Sequence, residues 1–553
     1  MNNTDSKCNK KSFWARLVDV LASPYTRTPG LFALLYVAAS LLFTYTFALC
    51  VYPGEDAGGN FYTAATLLAD LFWTWAALLI YILLRPKWRR VAAFWLGLWC
   101  FVLLLNWLWD LGILQVYKAP FCSELCCVLL ATNAGESIEF VSSYLKPNVF
   151  GYVILTIAAL PMAYDLGKQL ARFVAHKCRR LKPWLKIAVK CIFPVASIAG
   201  FVLSLAPLSK SAYITTPVGK IQTLLSQDTG HDLVHRNPKV TPFREDRPLK
   251  IVIIVGESHA RNHSQLYGYN RATEPRLSRL KADSLLLTVP NANSMAVHTQ
   301  ESFHRFIGTF LCADSDPTEQ WYENVTFLEV ARKAGYRTSW ISNQSPRGAL
   351  NNHLTRIAKM ADRMKFTTDG SHGSWYVCFD GDLLPYVDAW HDSVPELTVV
   401  HLMGSHYRYN DRTPAEWKHF KESDYREFPA SQRAERASYD NSVLYTDYVV
   451  SEIMRRYAGD DAVVIYFSDH GEDVYVTDPE YTGHAIMSSD RSKDLCMHVP
   501  MYFYLTPRFR QLHPWHVARI EGVCKSQEYY LSNLIYLISD LMSVKFEVTP
   551  LKR

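Results

Sequence analysis

The chain has 553 residues, 49% of them hydrophobic, and a formal net charge of +6 at pH 7. This length exceeds what one hydrophobic core usually supports, so at least two domains are expected. The charge is modest, and the distal part carries neither a basic stripe nor an aromatic platform, which argues against nucleic acid as a partner.

Five apolar segments precede residue 210, each close to the roughly 20 residues that a membrane-crossing helix needs. They are residues 30–52, 61–84, 91–116, 149–166 and 187–205. Lys and Arg are concentrated before the first apolar segment and in the second and fourth loops between segments. The amino end is therefore expected on the cytoplasmic side. Five crossings then put everything after about residue 206 outside. We predict a five-span transmembrane domain over residues 1–208 and a linker over residues 209–247.

Beyond the linker, short apolar strands alternate with helical stretches, which predicts a mostly parallel sheet sandwiched by helices in residues 248–553. The predicted strands are 251–255, 284–289, 337–342, 397–402, 463–467 and 501–505. The predicted helices are 274–282, 300–311, 325–334, 350–360 and 431–457.

Metal-type ligands follow two of the predicted strands directly. The run KIVIIVGES ends in Glu257, and AVVIYFS leads into Asp469 and His470. Ligands of open α/β sheets collect beyond the carboxyl ends of the strands, so these side chains are expected to share one site. Carboxylate oxygens with an imidazole nitrogen suit zinc, with manganese as the less specific alternative.

A nucleophile is expected beside such a metal, and Thr299 is the candidate. It falls where an extended stretch meets the predicted helix 300–311, whose free N–H groups and positive dipole favour an alkoxide and an incoming phosphate. A metal would also lower the pKa of the hydroxyl. A helix-capping role for Thr299 is the structural alternative, and Ser294 and Ser302 are the rival nucleophiles.

Histidines at the ends of further elements are candidates for binding a phosphate or a second metal. His401 and His406 lie in HLMGSH, at the end of another apolar strand. His484 and His498 follow the Asp-His-Gly element in an irregular stretch.

Several motifs together resemble one known family. IIVGES, Thr299, WISNQ, HLMGSH, YDNSVLYTDYVV and FSDHGE are similar, in order and spacing, to those of the membrane-bound phosphoethanolamine transferases. These enzymes belong to the sulfatase and alkaline-phosphatase-like superfamily. Five spans followed by a periplasmic catalytic domain is also the family's layout, so the resemblance covers nearly the whole chain.

The resemblance implies a zinc site formed by Glu257, Thr299, Asp469 and His470, with Thr299 becoming phosphorylated. By the same resemblance, His406 and His484 match the positions that hold the phosphoryl group or a second zinc, with His498 as the alternative to His484. His401 and Asn343 of WISNQ are further candidates for this role.

The implied reaction moves phosphoethanolamine from phosphatidylethanolamine to an outer-envelope acceptor such as lipid A, lipopolysaccharide or another glycan. The expected location is the bacterial inner membrane, with the catalytic domain in the periplasm. A phosphoglycerol transferase of the lipoteichoic-acid-synthase type and an inactive envelope lipid- or glycan-binding module are the alternatives. In an oxidising compartment, up to two disulfides could form among four distal cysteines: Cys312, Cys378, Cys496 and Cys524.

Overall fold

The structure is a computed structural model that describes most of the distal part of the chain and portions of the first 230 residues. The described residues are 12–28, 57–117, 182–204, 233–310, 320–346, 353–367, 378–391, 395–479, 481–484 and 489–548, with the single positions 154, 169, 172, 176 and 221. The chain forms two compact units, Met1–Cys127 with Phe140–Gln227 and Val128–Glu139 with Asp228–Arg553. The boundary at 227/228 falls inside the predicted linker.

The described part of the first unit is helical. Its helices are α1 (Phe13–Leu21), α2 (Ser23–Arg27), α3 (Ala57–Leu84), α4 (Arg89–Tyr117) and α5 (Pro183–Ser204). Predicted spans 61–84, 91–116 and 187–205 fall largely on α3, α4 and α5, whereas 30–52 and nearly all of 149–166 lie outside the described residues. Over the residues described, none of the helices reaches the combined length and hydropathy that crossing a membrane requires. The five-span arrangement therefore stays a prediction.

The second unit is built on a seven-stranded sheet. Its strands are β2 (Lys250–Gly256), β3 (Leu286–Thr288), β5 (Arg337–Ser342), β6 (Arg363–Phe366), β7 (Glu396–His401), β8 (Ala462–Ser468) and β12 (Met501–Leu505). Their order across the sheet is β3-β12-β8-β2-β7-β5-β6. β12 pairs antiparallel with β8 and β3, and the other neighbours are parallel. The sheet is mostly parallel, as the sequence predicts.

The central strand β2 is buried on both faces because each face meets its own hydrophobic core. Ile251, Ile253 and Val255 join one core, and Val252 and Ile254 join the other. Alternate side chains of a strand point to opposite faces, so a run of β-branched residues fills both cores at once. Full burial of each such side chain contributes about 1.5–3 kcal/mol.

The helices that cover these faces are mostly shorter than predicted. They are α6 (Pro275–Ala282), α7 (Thr299–Phe306), α8 (Phe327–Lys333), α9 (His353–Ala358), α10 (Leu384–Ala389), α11 (Ala430–Tyr457), α12 (Asp490–Met497), α13 (Pro507–Leu512), α14 (Pro514–Lys525) and α15 (Leu534–Leu541). The predicted helix 300–311 ends at Phe306, because Gly308 leaves the helix to form a bridge with Thr326. β6, α10 and the four helices after residue 489 were not predicted.

Small sheets surround the main one. β4 (Ala292–Asn293) pairs with β11 (His498–Val499) and β13 (Tyr529–Tyr530), and β9 (Asp473–Val474) pairs with β10 (Thr482–Gly483). In the last of them, β1 (Lys239–Pro242) pairs antiparallel with β14 (Val544–Glu547).

The distal cysteines that the structure describes are not joined by disulfides. Cys378, Cys496 and Cys524 carry free thiols, and Cys312 lies outside the described residues. Cys496 is buried and its Sγ lies 3.9 Å from the carbonyl oxygen of Gly483.

Candidate metal centre and nucleophile

The candidate site lies at the carboxyl edge of the parallel strands. β2 and β8 run in register, with Gly256 opposite Ser468, so the residues that follow each strand emerge side by side. Glu257 leaves β2 at this edge, and Asp469 and His470 leave β8. The side chains that follow the two strands therefore emerge at one edge of the sheet.

Three ligand-type side chains form a fully buried cluster at this edge: Glu257, Asp469 and His470. His470 Nε2 lies 3.2 Å from Glu257 Oε1 and 3.6 Å from Asp469 Oδ2. His470 Nδ1 is 2.8 Å from the carbonyl oxygen of Gly471, which directs Nε2 towards the carboxylates. Asp469 Oδ1 accepts hydrogen bonds from the amides of Ser258 and His470, whereas its enclosed Oδ2 has no hydrogen-bond partner.

Burial disfavours the charged form of all three groups. Interactions among the three decide the direction in which each pKa finally shifts. Burial raises the pKa of Glu257, but the hydrogen bond and charge of His470 outweigh it and hold that pKa well below its usual range. Burial lowers the pKa of His470, but Asp469 and Glu257 raise it to about 10. Burial and the charge of Glu257 raise the pKa of Asp469 well above its usual range. A second carboxylate beside Glu257 needs added positive charge to ionise, and a divalent cation supplies it.

Thr299 is the first residue of α7 and its hydroxyl faces this cluster. Thr299 Oγ1 donates a hydrogen bond to Glu257 Oε2 at 3.0 Å and lies 3.4 Å from His470 Nε2. His298, the residue before the helix, has extended backbone and makes no side-chain capping bond. The Thr299 hydroxyl therefore points to the carboxylate and imidazole, which is where a nucleophile would stand.

The rival hydroxyls are used in other ways. Ser302 Oγ donates a short hydrogen bond to the carbonyl oxygen of Asp469, and Ser294 Oγ donates to the carbonyl oxygen of Ala296 at 2.6 Å. Both serines are buried. Their hydroxyl protons serve the backbone, so neither is presented as a nucleophile.

Two of the predicted histidines lie beside the cluster. The His484 ring is 4.1 Å from that of His470, and its Nδ1 hydrogen-bonds Glu472. Burial and the neighbouring His470 lower the pKa of His484 to about 3. His406 lies near enough for its charge to lower the pKa of both Glu257 and Glu472.

The other three candidates are held by different partners. His401 is buried behind the site, with Nδ1 3.2 Å from Ser342 Oγ and its ring against Phe303. Asn343 donates to Asp380 at 2.8 Å. His498 bonds the carbonyl oxygen of Asp494 through Nδ1, which favours His484 over His498 as the residue lining the site.

Sequence reasoning missed two side chains of the site. Gln344 Nε2 donates to Glu257 Oε2 at 2.8 Å, and the residue ends the WISNQ motif that follows β5. The His298 ring lies 5.3 Å from that of His484, and its enclosed Nε2 has no hydrogen-bond partner. Burial, His484 and His470 hold the pKa of His298 well below its usual range, so the ring is neutral. Its place directly before Thr299 was the available signal.

The sheet, its strand-end ligands and the hydroxyl at a helix start define the class of α/β proteins built like alkaline phosphatase. The model of the family described as Sulfatase matches residues 250–543, and the chain belongs to this family.

The similarity to curated relatives extends over most of the chain and therefore includes both units. The chain is 26% identical over 532 residues to the phosphoethanolamine transferase EptC of Escherichia coli K12, covering 90% of this chain and 86% of the relative. It is 28% identical over 426 residues to the phosphoethanolamine transferase EptA of Helicobacter pylori, covering 72% and 74%. The resemblance stated from the sequence motifs is thus confirmed.

A solved structure has the same fold over nearly the whole chain. It is the integral membrane protein lipooligosaccharide phosphoethanolamine transferase A from Neisseria meningitidis, with 17% identity, 95% coverage of each chain and a TM-score of 0.62.

Proposed function

We propose that this protein transfers phosphoethanolamine from phosphatidylethanolamine to a lipid A, lipopolysaccharide or other glycan acceptor of the outer envelope, through a phosphorylated Thr299. The names of the curated relatives support the group transferred. The observation that carries the proposal is the Thr299 hydroxyl, 3.0 Å from Glu257 Oε2 and 3.4 Å from His470 Nε2 at the start of a helix.

The donor set fits a divalent metal ion, and zinc fits it better than manganese. Two buried carboxylates stand beside an imidazole, and a cation would give Asp469 Oδ2, which has no hydrogen-bond partner, the partner it lacks. Glu257, Asp469, His470 and Thr299 would hold the ion, a mixed oxygen and nitrogen set that zinc accepts. When bound, zinc would lower the pKa of the Thr299 hydroxyl and offset negative charge on the phosphoryl group.

In the first step, Thr299 Oγ1 forms a bond to the phosphorus of the donor lipid, and the bond from phosphorus to the diacylglycerol oxygen breaks. Glu257 holds the hydroxyl by accepting its hydrogen bond, and the free N–H groups at the start of α7 bind the phosphoryl oxygens. The proton leaves Thr299 and the diacylglycerol oxygen gains one, so diacylglycerol departs neutral. His406 and His484 lie where imidazole N–H groups can donate to the phosphoryl group.

In the second step, an acceptor oxygen attacks the same phosphorus, and the bond to Thr299 Oγ1 breaks. Thr299 regains a proton and the acceptor loses one, so the enzyme returns to its starting state. The proton that the acceptor loses is the one that Thr299 gains, and His298 and His484 stay uncharged throughout because their pKa values are lowered. The site thus uses one hydroxyl twice, first as nucleophile and then as leaving group.

The proposed setting is the bacterial inner membrane, with the amino end in the cytoplasm and residues 248–553 in the periplasm. Loops rich in Lys and Arg alternate with loops that contain few basic residues, and this alternation supports the orientation. The resemblance of the chain to membrane-bound transferases supports it as well, because a lipid donor is available there.

Thr299→Ala and Thr299→Ser variants of the purified full chain test the nucleophile. We expect Thr299→Ala to lose at least ~10³-fold of transfer and to form no adduct with the donor lipid, because it lacks the hydroxyl. Thr299→Ser keeps a hydroxyl and should retain measurable activity. Full transfer by a folded Thr299→Ala protein would refute the proposal.

Mass spectrometry of the peptide that contains Thr299, after incubation with donor lipid, identifies the transferred group. A phosphoethanolamine adduct supports the proposal, and a phosphoglycerol adduct supports the lipoteichoic-acid-synthase-type alternative. Removing metal with a chelator should abolish adduct formation, and added Zn²⁺ should restore it.

A further inference from the structure

A second cluster of ligand-type side chains lies at the opposite edge of the sheet from the candidate active site. Its members precede β2, precede β8 or begin α14: Asp246, Asp461, His513 and His516. β2 and β8 each have seven residues, so this edge is roughly 20 Å from Glu257 and Asp469. The cluster therefore cannot contribute a ligand to the candidate active site.

Three of these residues converge on one point. His513 Nδ1 lies 3.1 Å from Asp246 Oδ1, and His516 Nδ1 lies 3.3 Å from Asp246 Oδ2. Ligand atoms around a tetrahedral zinc are about 3.3 Å apart, given metal–ligand bonds of about 2.0–2.1 Å. Both imidazoles are fully buried, and the Asp246 side chain is 15% exposed.

In each imidazole, the nitrogen that faces away from Asp246 (Nε2) has a polar partner. That partner orients the ring so that the other nitrogen, Nδ1, faces Asp246. His513 Nε2 is 3.0 Å from Asp461 Oδ2, and His516 Nε2 is 3.3 Å from Ser543 Oγ. A carboxylate on the far nitrogen of a ligand histidine fixes its tautomer and raises its basicity, as Asp461 does here. His513 Nδ1 is within hydrogen-bond distance of Asp246 Oδ1, and a metal ion would take the place of the proton shared there.

Hydrogen bonding alone leaves this cluster incomplete. His516 Nδ1 is enclosed and makes no hydrogen bond despite its distance of 3.3 Å from Asp246 Oδ2, because the alignment is wrong for one. Asp461 Oδ1 is also enclosed without a partner. Arg244 is the nearby competing cation, with Nε 3.6 Å from Asp246 Oδ2 and its side chain 41% exposed. Arg244 pairs with Asp246 and leaves His516 Nδ1 without a hydrogen-bond partner, whereas a metal ion accepts electron pairs from nitrogen and oxygen alike.

We propose that Asp246, His513 and His516 bind a second divalent transition-metal ion, of which zinc fits best, with Asp461 and Ser543 orienting the two imidazoles. The ion joins the segment that leads into β2 to the first turn of α14. Its role is structural, because all three protein ligands are far from the candidate nucleophile. The spacing His513-Pro514-Trp515-His516 puts both imidazoles on one side of the helix start.

The count of bound zinc tests this site in the full chain. An Asp469→Asn protein is equilibrated with Zn²⁺, freed of loose metal by dialysis and analysed by elemental mass spectrometry. Adding His516→Gln to that background should remove one zinc per chain. Adding Asp461→Asn instead should weaken binding of one zinc by about 10–100-fold, because the ligands remain and only their orientation is lost.

His391→Gln in the same background is the matched control. His391 Nε2 lies 2.6 Å from Asp460 Oδ2, so this substitution also breaks a histidine–aspartate pair but removes no residue of the cluster. The control should keep the zinc that His516→Gln loses. An equal zinc count in the two proteins would overturn the proposal and leave a protonated His513 bridging two carboxylates.

A measurement on the unaltered chain covers the case in which His516→Gln does not fold. Crystals grown with Zn²⁺ and measured at the zinc absorption edge should give an anomalous peak between Asp246, His513 and His516. A peak at Glu257 without one at this cluster would overturn the proposal.

Discussion

Substitution of Gly404 by alanine should damage the candidate metal centre without touching any of its ligands. Gly404 lies in HLMGSH with φ +50, and its backbone crosses directly behind Glu257. A Cβ atom there would lie 2.6 Å from the Glu257 carbonyl oxygen and 2.9 Å from its amide nitrogen. Ordinary contact begins at 3.4 Å, so the two backbones must part by about 0.8 Å.

The loop around Gly404 has little room to make that shift. The Gly404 amide donates to Asp380 Oδ2 at 2.9 Å, and the next amide, of Ser405, donates to the Glu257 carbonyl oxygen at 2.9 Å. The left-handed backbone costs a non-glycine residue about 1–2 kcal/mol, and overpacking adds about 1–3 kcal/mol. We expect Gly404→Ala to lose about 2–5 kcal/mol of stability. A displacement approaching 1 Å at Glu257 should also reduce transfer by about 10²-fold.

Gly335→Ala separates the two effects. Gly335 has φ +86, but nothing lies within 4 Å of an added Cβ, so only the backbone cost of about 1–2 kcal/mol applies. Thermal unfolding, zinc content and the rate of phosphoethanolamine transfer would be measured for both proteins. Equal zinc content and equal activity in the two variants would refute the reasoning that Gly404 supports Glu257.

Three further predictions follow from single side chains. Ser302→Ala should cost about 1 kcal/mol of stability in thermal unfolding yet keep transfer activity, since its hydroxyl serves a backbone carbonyl; loss of the Thr299 adduct in this variant would reinstate Ser302 as the nucleophile. Gln344→Ala should weaken zinc binding by about 10–100-fold in a competition titration, because Glu257 loses the hydrogen bond that orients it; unchanged affinity would contradict this role. Burial raises the pKa of Glu274 to about 7 from its usual value of 4.5, so its contribution to stability is present below pH 4.5 and is lost as the pH rises through 7. Glu274→Gln should therefore gain about 3 kcal/mol relative to the unaltered chain between pH 4 and pH 8 in denaturant unfolding, and parallel pH profiles would rule this out.

The sequence predicted the strands of the sheet well because their signal is local. The bounds of β5 and β12 were predicted to the residue. In β12 the run MYFYL is apolar throughout and is followed by Thr506 and Pro507, which end a strand. The partly exposed edge strand β6 was missed, because RMKF carries two cations and resembles a surface loop. The order of the strands and the antiparallel direction of β12 depend on long-range pairing, which no local pattern encodes.

The sequence allowed prediction of the site residues that follow strands and of Thr299 at a helix start, but not of those that depend on side-chain direction. Glu257, Asp469 and His470 could be placed together because parallel strands deliver their following residues to one edge. Gln344 and His298 depend on side-chain direction. One residue of WISNQ, Asn343, bonds Asp380, whereas the next, Gln344, reaches Glu257, and only coordinates distinguish the two.

The first strand of the second unit, β1, pairs with the last strand that the structure describes, β14. Four residue pairs join Lys239–Pro242 to Val544–Glu547. Tension applied to the chain just before β1 would therefore load these hydrogen bonds in shear. Deleting β14 would leave β1 as an open edge that can pair with other chains. A truncation that reaches residues 544–547 therefore also removes the strand that pairs with β1.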